Sequence, residues 1–236
     1  SLGIFSAAAD GAVIWFSNAS VAAGNDNNTI SNNDLGPAGA NLPGIYIKSH
    51  CTTAGKDNSN ITITGNRIHD YYSSGQMSAG VYAFTGSSGW TITNNRIYQT
   101  NTLSLNVSGN PYPANTYSAI VIKAGNGYTI TGNYCGFANA AGTGFTVITN
   151  TVSNYAGSVQ VILINTIAGA ASTVSNNVIG GFDLTSSRSS GTAGTGIFYG
   201  IYVENGSTTV SNNVIGAVSG TNSIVIKSTN NSVFTA

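Results

Sequence analysis

The sequence predicts an all-β fold in which similar strands stack in parallel, a β-solenoid. Three observations predict it. A short phrase of alternating apolar and polar residues, closed by asparagine, recurs along the chain. A second strand-like run accompanies most copies. No segment keeps the i, i+3, i+4, i+7 apolar spacing of a helix over helix-forming residues.

The recurrent phrase has six copies: "TISNNDL" (29–35), "TITGNRI" (62–68), "TITNNRI" (91–97), "TITGNYC" (129–135), "TVSNNVI" (173–179) and "TVSNNVI" (209–215). The asparagines that align are Asn33, Asn66, Asn95, Asn133, Asn177 and Asn213, spaced 33, 29, 38, 44 and 36 residues apart. An irregular period fits a coil whose inserts vary in length. Similar strands in the same order are most simply satisfied when each lies on its previous copy, parallel and in register. The second run reads "GIYIKS" (44–49), "GVYAFT" (80–85), "AIVIKA" (119–124), "VQVILIN" (159–165), "GIYVEN" (200–205) and "SIVIKS" (223–228). Its β-branched and aromatic residues and period-two alternation mark a strand. One coil is therefore strand, short turn, strand, asparagine turn, short strand and loop.

Position by position, the phrase assigns an address to each side chain. Ile30, Ile63, Ile92, Ile130, Val174 and Val210 form one inward row, and Ile68, Ile97, Cys135, Ile179 and Ile215 a second. Ile45/Ile47, Ile120/Ile122, Ile201/Val203 and Ile224/Ile226 are expected as a third. The aligned asparagines sit at the corner, where left-handed backbone is tolerated, and stacking turns them into an amide ladder. The residues after them, Asp34, Arg67, Arg96, Tyr134, Val178 and Val214, face outward; Asp34 can pair with Arg67, and Arg67 beside Arg96 either repels or meets an anion. Glu204, the chain's one glutamate, is expected beside Lys227. Thr62/Thr64, Thr91/Thr93, Thr129/Thr131, Thr173/Ser175 and Thr209/Ser211 make outward T-x-T rows.

Composition sets the class of function. The 236 residues suit a single domain over 1–236, and 41% hydrophobic content supports a core. Charged residues are only 6%, against about 25% in ordinary globular chains, so Asn, Ser, Thr and Gly cover the surface. Seven basic residues balance seven acidic ones, which leaves no electrostatic footprint for nucleic acid. No apolar run reaches the ~20 residues of a membrane-spanning helix. Cys51 and Cys135 have no metal-type spacing and are expected as buried thiols. The chain starts and stops in mid-pattern and is expected to be a piece of a longer secreted protein.

These phrases resemble the repeats of right-handed parallel β-helix proteins, the pectate-lyase-like superfamily. The resemblance rests on the x-I-x-x-N-x-I pattern, runs from about Gly24 to Ser228 and is specific for architecture. It implies a right-handed parallel β-helix of about six to seven irregular coils with long loops on one edge. It leaves activity open, since the superfamily includes lyases, hydrolases, adhesins, tailspikes and bacterial surface proteins.

Loops on a rigid scaffold are where recognition belongs. The long inserts are 69–80, 98–119, 136–158 and 180–200, and their edge carries His69, Asp70, Tyr71, Tyr72, Tyr98, Tyr112, Tyr117, Phe182, Asp183 and Arg188. Within that set, His69, Asp70, Tyr71, Tyr72, Tyr98, Asp183 and Arg188 suit a carbohydrate, rings stacking on sugars beside a few polar groups; packing of the rings against the wall is the competing account. Catalysis asks for more. Glycoside hydrolysis needs two carboxylates at a set separation, and Asp10, Asp26, Asp34, Asp57, Asp70, Asp183 and Glu204 are scattered along the chain. No catalytic residue, metal or cofactor is assigned. The expected function is that of a secreted or cell-surface structural or adhesive β-helix that self-assembles or meets surface glycans. Carbohydrate binding or polysaccharide degradation is the alternative, and ice binding through the T-x-T rows the second.

Overall fold

The computed structural model describes residues 11–17, 24–37, 44–73, 77–105, 116–150, 158–187, 197–216 and 223–229. Every regular element among them is a strand, and every strand pair is parallel. The upstream run supplies a first sheet of six strands: Ile14–Phe16, Ile45–Ser49, Ser78–Ala83, Thr116–Ile122, Ser158–Asn165 and Phe198–Asn205. The T-x-T segments form a second sheet of six, from Thr29–Ser31 to Thr208–Ser211, and the residues after the asparagines a third, from Asp34–Leu35 to Val214–Ile215. Consecutive copies are neighbours throughout, so the chain is a stack of coils, a parallel β-solenoid.

The asparagine ladder sets the register. The backbone N–H and Nδ2 of Asn33 both donate to Oδ1 of Asn66, at 2.9 and 3.0 Å. The same double bond repeats from Asn66 to Asn95, Asn95 to Asn133, Asn133 to Asn177 and Asn177 to Asn213. From Asn66 onward each amide also donates one coil back, as Asn95 Nδ2 does to the Ile63 carbonyl at 2.9 Å. Asn66, Asn95, Asn133 and Asn177 are fully buried, so these groups have no water to fall back on. The residue just before the ladder is left-handed at every coil: Asn32, Gly65, Asn94, Gly132, Asn176 and Asn212. A Cβ on Gly65 would lie 2.6 Å from Asn32 Oδ1, and one on Gly132 2.4 Å from Asn94 Oδ1. Each of these asparagines leans over the glycine of the next coil.

The two inward rows of the repeat are as expected. Ile63, Ile92, Ile130 and Val174 are fully buried, as are Ile68, Ile97, Cys135 and Ile179, each contributing about 1.5–3 kcal/mol. Burial pushes the Cys135 thiol up to about 12, and both cysteines are free. The rows end differently: Ile30 is 7% exposed, whereas Val210 and Ile215, in the last coil, are 47% and 51% exposed.

The third expected row is corrected in two ways. The long strands do not alternate strictly. Tyr46 and Ile47, Ala119 and Ile120, and Val161 and Ile162 are consecutive pairs that all enter the main core, while Ile45 packs on the outside with Ala79, Val121 and Leu163. Pairing lapses at this step, between Tyr117↔Val159 and Ile120↔Ile162, because the strand bends. Gly80 allows the bend, since a Cβ there would press within 3.0 Å of Ile97. Ile224 and Ile226 belong elsewhere: Ile224–Ser228 pairs with Phe182–Ser186. It closes a fourth sheet with Leu103–Ser104 and Thr146–Asn150; the three partners of Ile224–Ser228 in this sheet come from the long inserts.

The ladder yields a graded expectation. Asn95→Ala removes the acceptor of two buried donors and should cost about 2–3 kcal/mol in urea unfolding. Asn213→Ala, at the end of the stack, should cost less than about 1 kcal/mol. Equal losses would show that burial of the ladder does not govern the stack.

Candidate functional site

The third sheet brings part of the sequence-chosen set together. His69 and Tyr98 are register partners, and their rings stack at 4.8 Å and 6°. His69 Nδ1 lies 2.9 Å from Asp70 Oδ2, and Nε2 lies 3.0 Å from Asp34 Oδ1 in the preceding coil. Both ring nitrogens of His69 thus face a carboxylate oxygen, one from its own coil and one from the coil before. Asp70 sits in left-handed backbone, which turns its carboxylate back onto His69. Its Oδ1 accepts from the Thr100 N–H at 2.8 Å and from the Thr100 hydroxyl at 3.0 Å. Burial, the largest influence, works to raise the Asp70 pKa; the bonds from His69 and Thr100 together outweigh it and hold the carboxyl below its usual range. The cluster thus ties three successive coils at the corner.

The outward row beside it is divided among internal partners. Arg67 reaches Asp34 at 3.6 Å. Arg96 turns the other way and lies over the Tyr134 ring at 3.5 Å, a cation–π contact. The adjacent arginines are therefore each drawn to a different neighbour.

The remaining chosen residues do not join them. Tyr71 is fully buried between Tyr46 and Tyr117, and desolvation raises its hydroxyl pKa well above 10. Its ring packs the core. Tyr72 donates to the Ser104 carbonyl. Asp183 lies on the fourth sheet and pairs with Lys227 at 2.8 Å; Lys227 was expected beside Glu204. Arg188 and Tyr112 lie outside the described residues.

The outer face of the first sheet carries a second group. Lys123 Nζ lies 2.5 Å from Glu204 Oε2, which also accepts from Asn165 Nδ2 at 2.7 Å. The register shift between Ile164 and Asn165 makes Glu204 the extra residue, so it leans back over one coil toward the lysine. These bonds, Lys123 first, hold the Glu204 carboxyl below its usual range against the opposing effect of burial. Next to Lys123, a cavity of about 90 Å³ opens over Val121 and Leu163, with Ser118 and Gln160 on its wall. Tyr82 stacks with Phe84 at 5.4 Å, and Tyr199 with Tyr202 at 4.9 Å, along the same face. Glu204 as the sole glutamate and Lys123 as a repeat position were visible in the sequence; their meeting needed the shift.

The second sheet presents the threonines as expected. Thr29, Thr62, Thr91, Thr129, Thr173 and Thr209 are register partners in series, and so are Ser31, Thr64, Thr93, Thr131, Ser175 and Ser211. In the second row, Thr93 donates to Thr64 at 3.0 Å. Among the described residues, no group of three or more His, Cys, Asp or Glu side chains is placed to hold a metal ion.

No family model matches the chain, and no curated protein or solved structure matches it.

The Asp70 cluster makes stability depend on acid. A carboxyl whose folded pKa is depressed contributes fully above the unfolded value, about 3.9 for aspartate, and loses that contribution as pH falls through the folded value. Asp70→Asn should therefore cost about 1–3 kcal/mol at pH 7 and progressively less toward pH 3, in urea titrations at each pH. A cost independent of pH would mean that the charge of Asp70 plays no part.

Proposed function

We propose that this chain is a structural and adhesive module of the cell exterior, a right-handed parallel β-helix of the kind its repeats resemble. The observation that supports the reading is the apolar exposure of the outermost coil among the described residues. Val203, Val210 and Ile215 hold positions that are inward and buried one coil earlier, at Ile164, Val174 and Ile179, yet they are 40%, 47% and 51% exposed. The strands that carry them are the outer members of the first three sheets. A parallel coil laid on these strands would bury those side chains and extend the ladder beyond Asn213, its outermost member among the described residues. Sheet edges of this type are templates for further pairing. Low charge supports the same reading. Six of the described ionic groups pair across coils: Asp34 with Arg67, Lys123 with Glu204 and Asp183 with Lys227.

Sedimentation over a range of concentrations tests it. The chain should form elongated assemblies, and Val210→Asp with Ile215→Lys should leave monomers with unchanged far-ultraviolet dichroism. A monodisperse wild-type monomer at high concentration would remove the assembling module from consideration. Antibody labelling of intact and permeabilised cells addresses the exterior location separately.

The paired threonine rows favour one other reading, an ordered-water or ice-binding face. Six rungs repeat with all length variation placed outside the second sheet, which gives hydroxyls in a grid about 4.8 Å apart between strands. Thermal hysteresis that disappears in Thr91→Tyr would support it, and its absence in the wild type would exclude it.

A further inference from the structure

We propose that Lys123, Asn165 and Glu204 form a self-modifying site, at which the lysine amine displaces ammonia from the asparagine carboxamide and leaves a covalent amide between two coils. The inference is independent of assembly, since all three side chains belong to one wall of one chain.

Register places the reactants. Ile122 pairs with Ile164 and both enter the core. Lys123 and Asn165, one residue further on, therefore point outward on neighbouring strands about 4.8 Å apart. The register shift after Ile164 inserts Glu204 beside them. One carboxylate oxygen, Glu204 Oε2, meets Lys123 Nζ at 2.5 Å and Asn165 Nδ2 at 2.7 Å. Nζ and Nδ2 are thus no farther apart than those two lengths laid end to end. A carboxylate only accepts hydrogen bonds, so the amide turns its nitrogen, the leaving group, toward the acid. The Lys123 and Glu204 side chains are 21% and 33% exposed. Val121 and Leu163, which precede the reactants on the outward side, are buried and apolar. Such surroundings favour a neutral amine and acid over the ion pair more than water does.

The chemistry balances within the three groups. At rest the pair is ionic, and the bond from Lys123 holds the Glu204 carboxyl below its usual range. Transfer of the lysine proton to Oε2 frees the Nζ lone pair, and Nζ attacks Cγ of Asn165. Glu204 gives its proton to Nδ2 and takes one from Nζ, and the Cγ–Nδ2 bond breaks. The products are the Nζ–Cγ amide and one ammonia, so no further reactant is needed. Glu204 serves as general base and then as general acid, and fixed proximity supplies what a bimolecular aminolysis lacks. The Lys227–Asp183 pair has no such third member. Asp183 Oδ2 accepts from Lys227, and its Oδ1 has no hydrogen-bond partner.

Intact-mass spectrometry of the purified full chain, after incubation at neutral pH, tests this. The wild type should lack one ammonia relative to its sequence, and chymotryptic digestion should return Lys123 and Asn165 in one branched peptide. Lys123→Arg and, separately, Glu204→Gln should keep the full mass while their far-ultraviolet dichroism stays that of the stack. Full mass in the wild type overturns the proposal. So does an ammonia loss that persists in Lys123→Arg, which would come from an asparagine cyclising on its own backbone. A branched peptide that forms as fast in Glu204→Gln as in the wild type overturns the role of the carboxylate and the proposal with it.

Discussion

The fold depends on one repeated demand, the burial of an amide at every coil. Asn66, Asn95, Asn133 and Asn177 have no water at all around them, and each side chain joins the coil before to the coil after. Only parallel, in-register stacking satisfies every donor and acceptor in such a column. A slip by one residue would send the asparagines outward and the isoleucines with them. The ladder therefore does for this chain what a helix periodicity does for a bundle. It fixes register locally, coil by coil, and leaves the lengths between copies free to vary.

That freedom explains which parts were legible beforehand. Ile92, Ile97 and Asn95 could be placed because their positions count from the asparagine itself. The Asp34–Arg67 contact could be expected because register makes the two residues neighbours. The inserts have no such reference point. Phe182–Ser186 and Ile224–Ser228 read as loop and as a copy of the first strand, respectively; their pairing depends on where the loop re-enters the wall. Local likeness between "SIVIKS" and "GIYIKS" was misleading for the same reason, since both are good strand sequences and strand propensity does not name a sheet.

The candidate sites were less legible, because they arise where regularity fails. Strict alternation would send Ile45 and Ile47 to the same side and would leave the outer face of the first sheet without a crease. The bend at Tyr46–Ile47, repeated at Gly80–Val81 and Ala119–Ile120, is possible because the strand presses against the opposite wall with glycine or alanine in two of those coils. Likewise Glu204 meets Lys123 two coils away only because one residue is extra at that point. The His69–Asp70 neighbours were visible as a sequence pair, but the second carboxylate, Asp34, comes from another coil.

A chain this poor in charge gains a particular economy from stacking. An exposed ion pair in water is worth at most about 1 kcal/mol, so scattered charges would contribute little to holding coils together. Here three ion pairs run between coils: Asp34 with Arg67, Lys123 with Glu204, and Asp183 with Lys227. The last two lie away from the ladder's corner, on other walls of the stack. The asparagines align the corner, the ion pairs and the His69–Tyr98 stack reinforce the walls, and the apolar rows fill the space between. Recognition in a solenoid is therefore best sought where the coil departs from its own repeat, since the repeating positions are already engaged with the coils above and below.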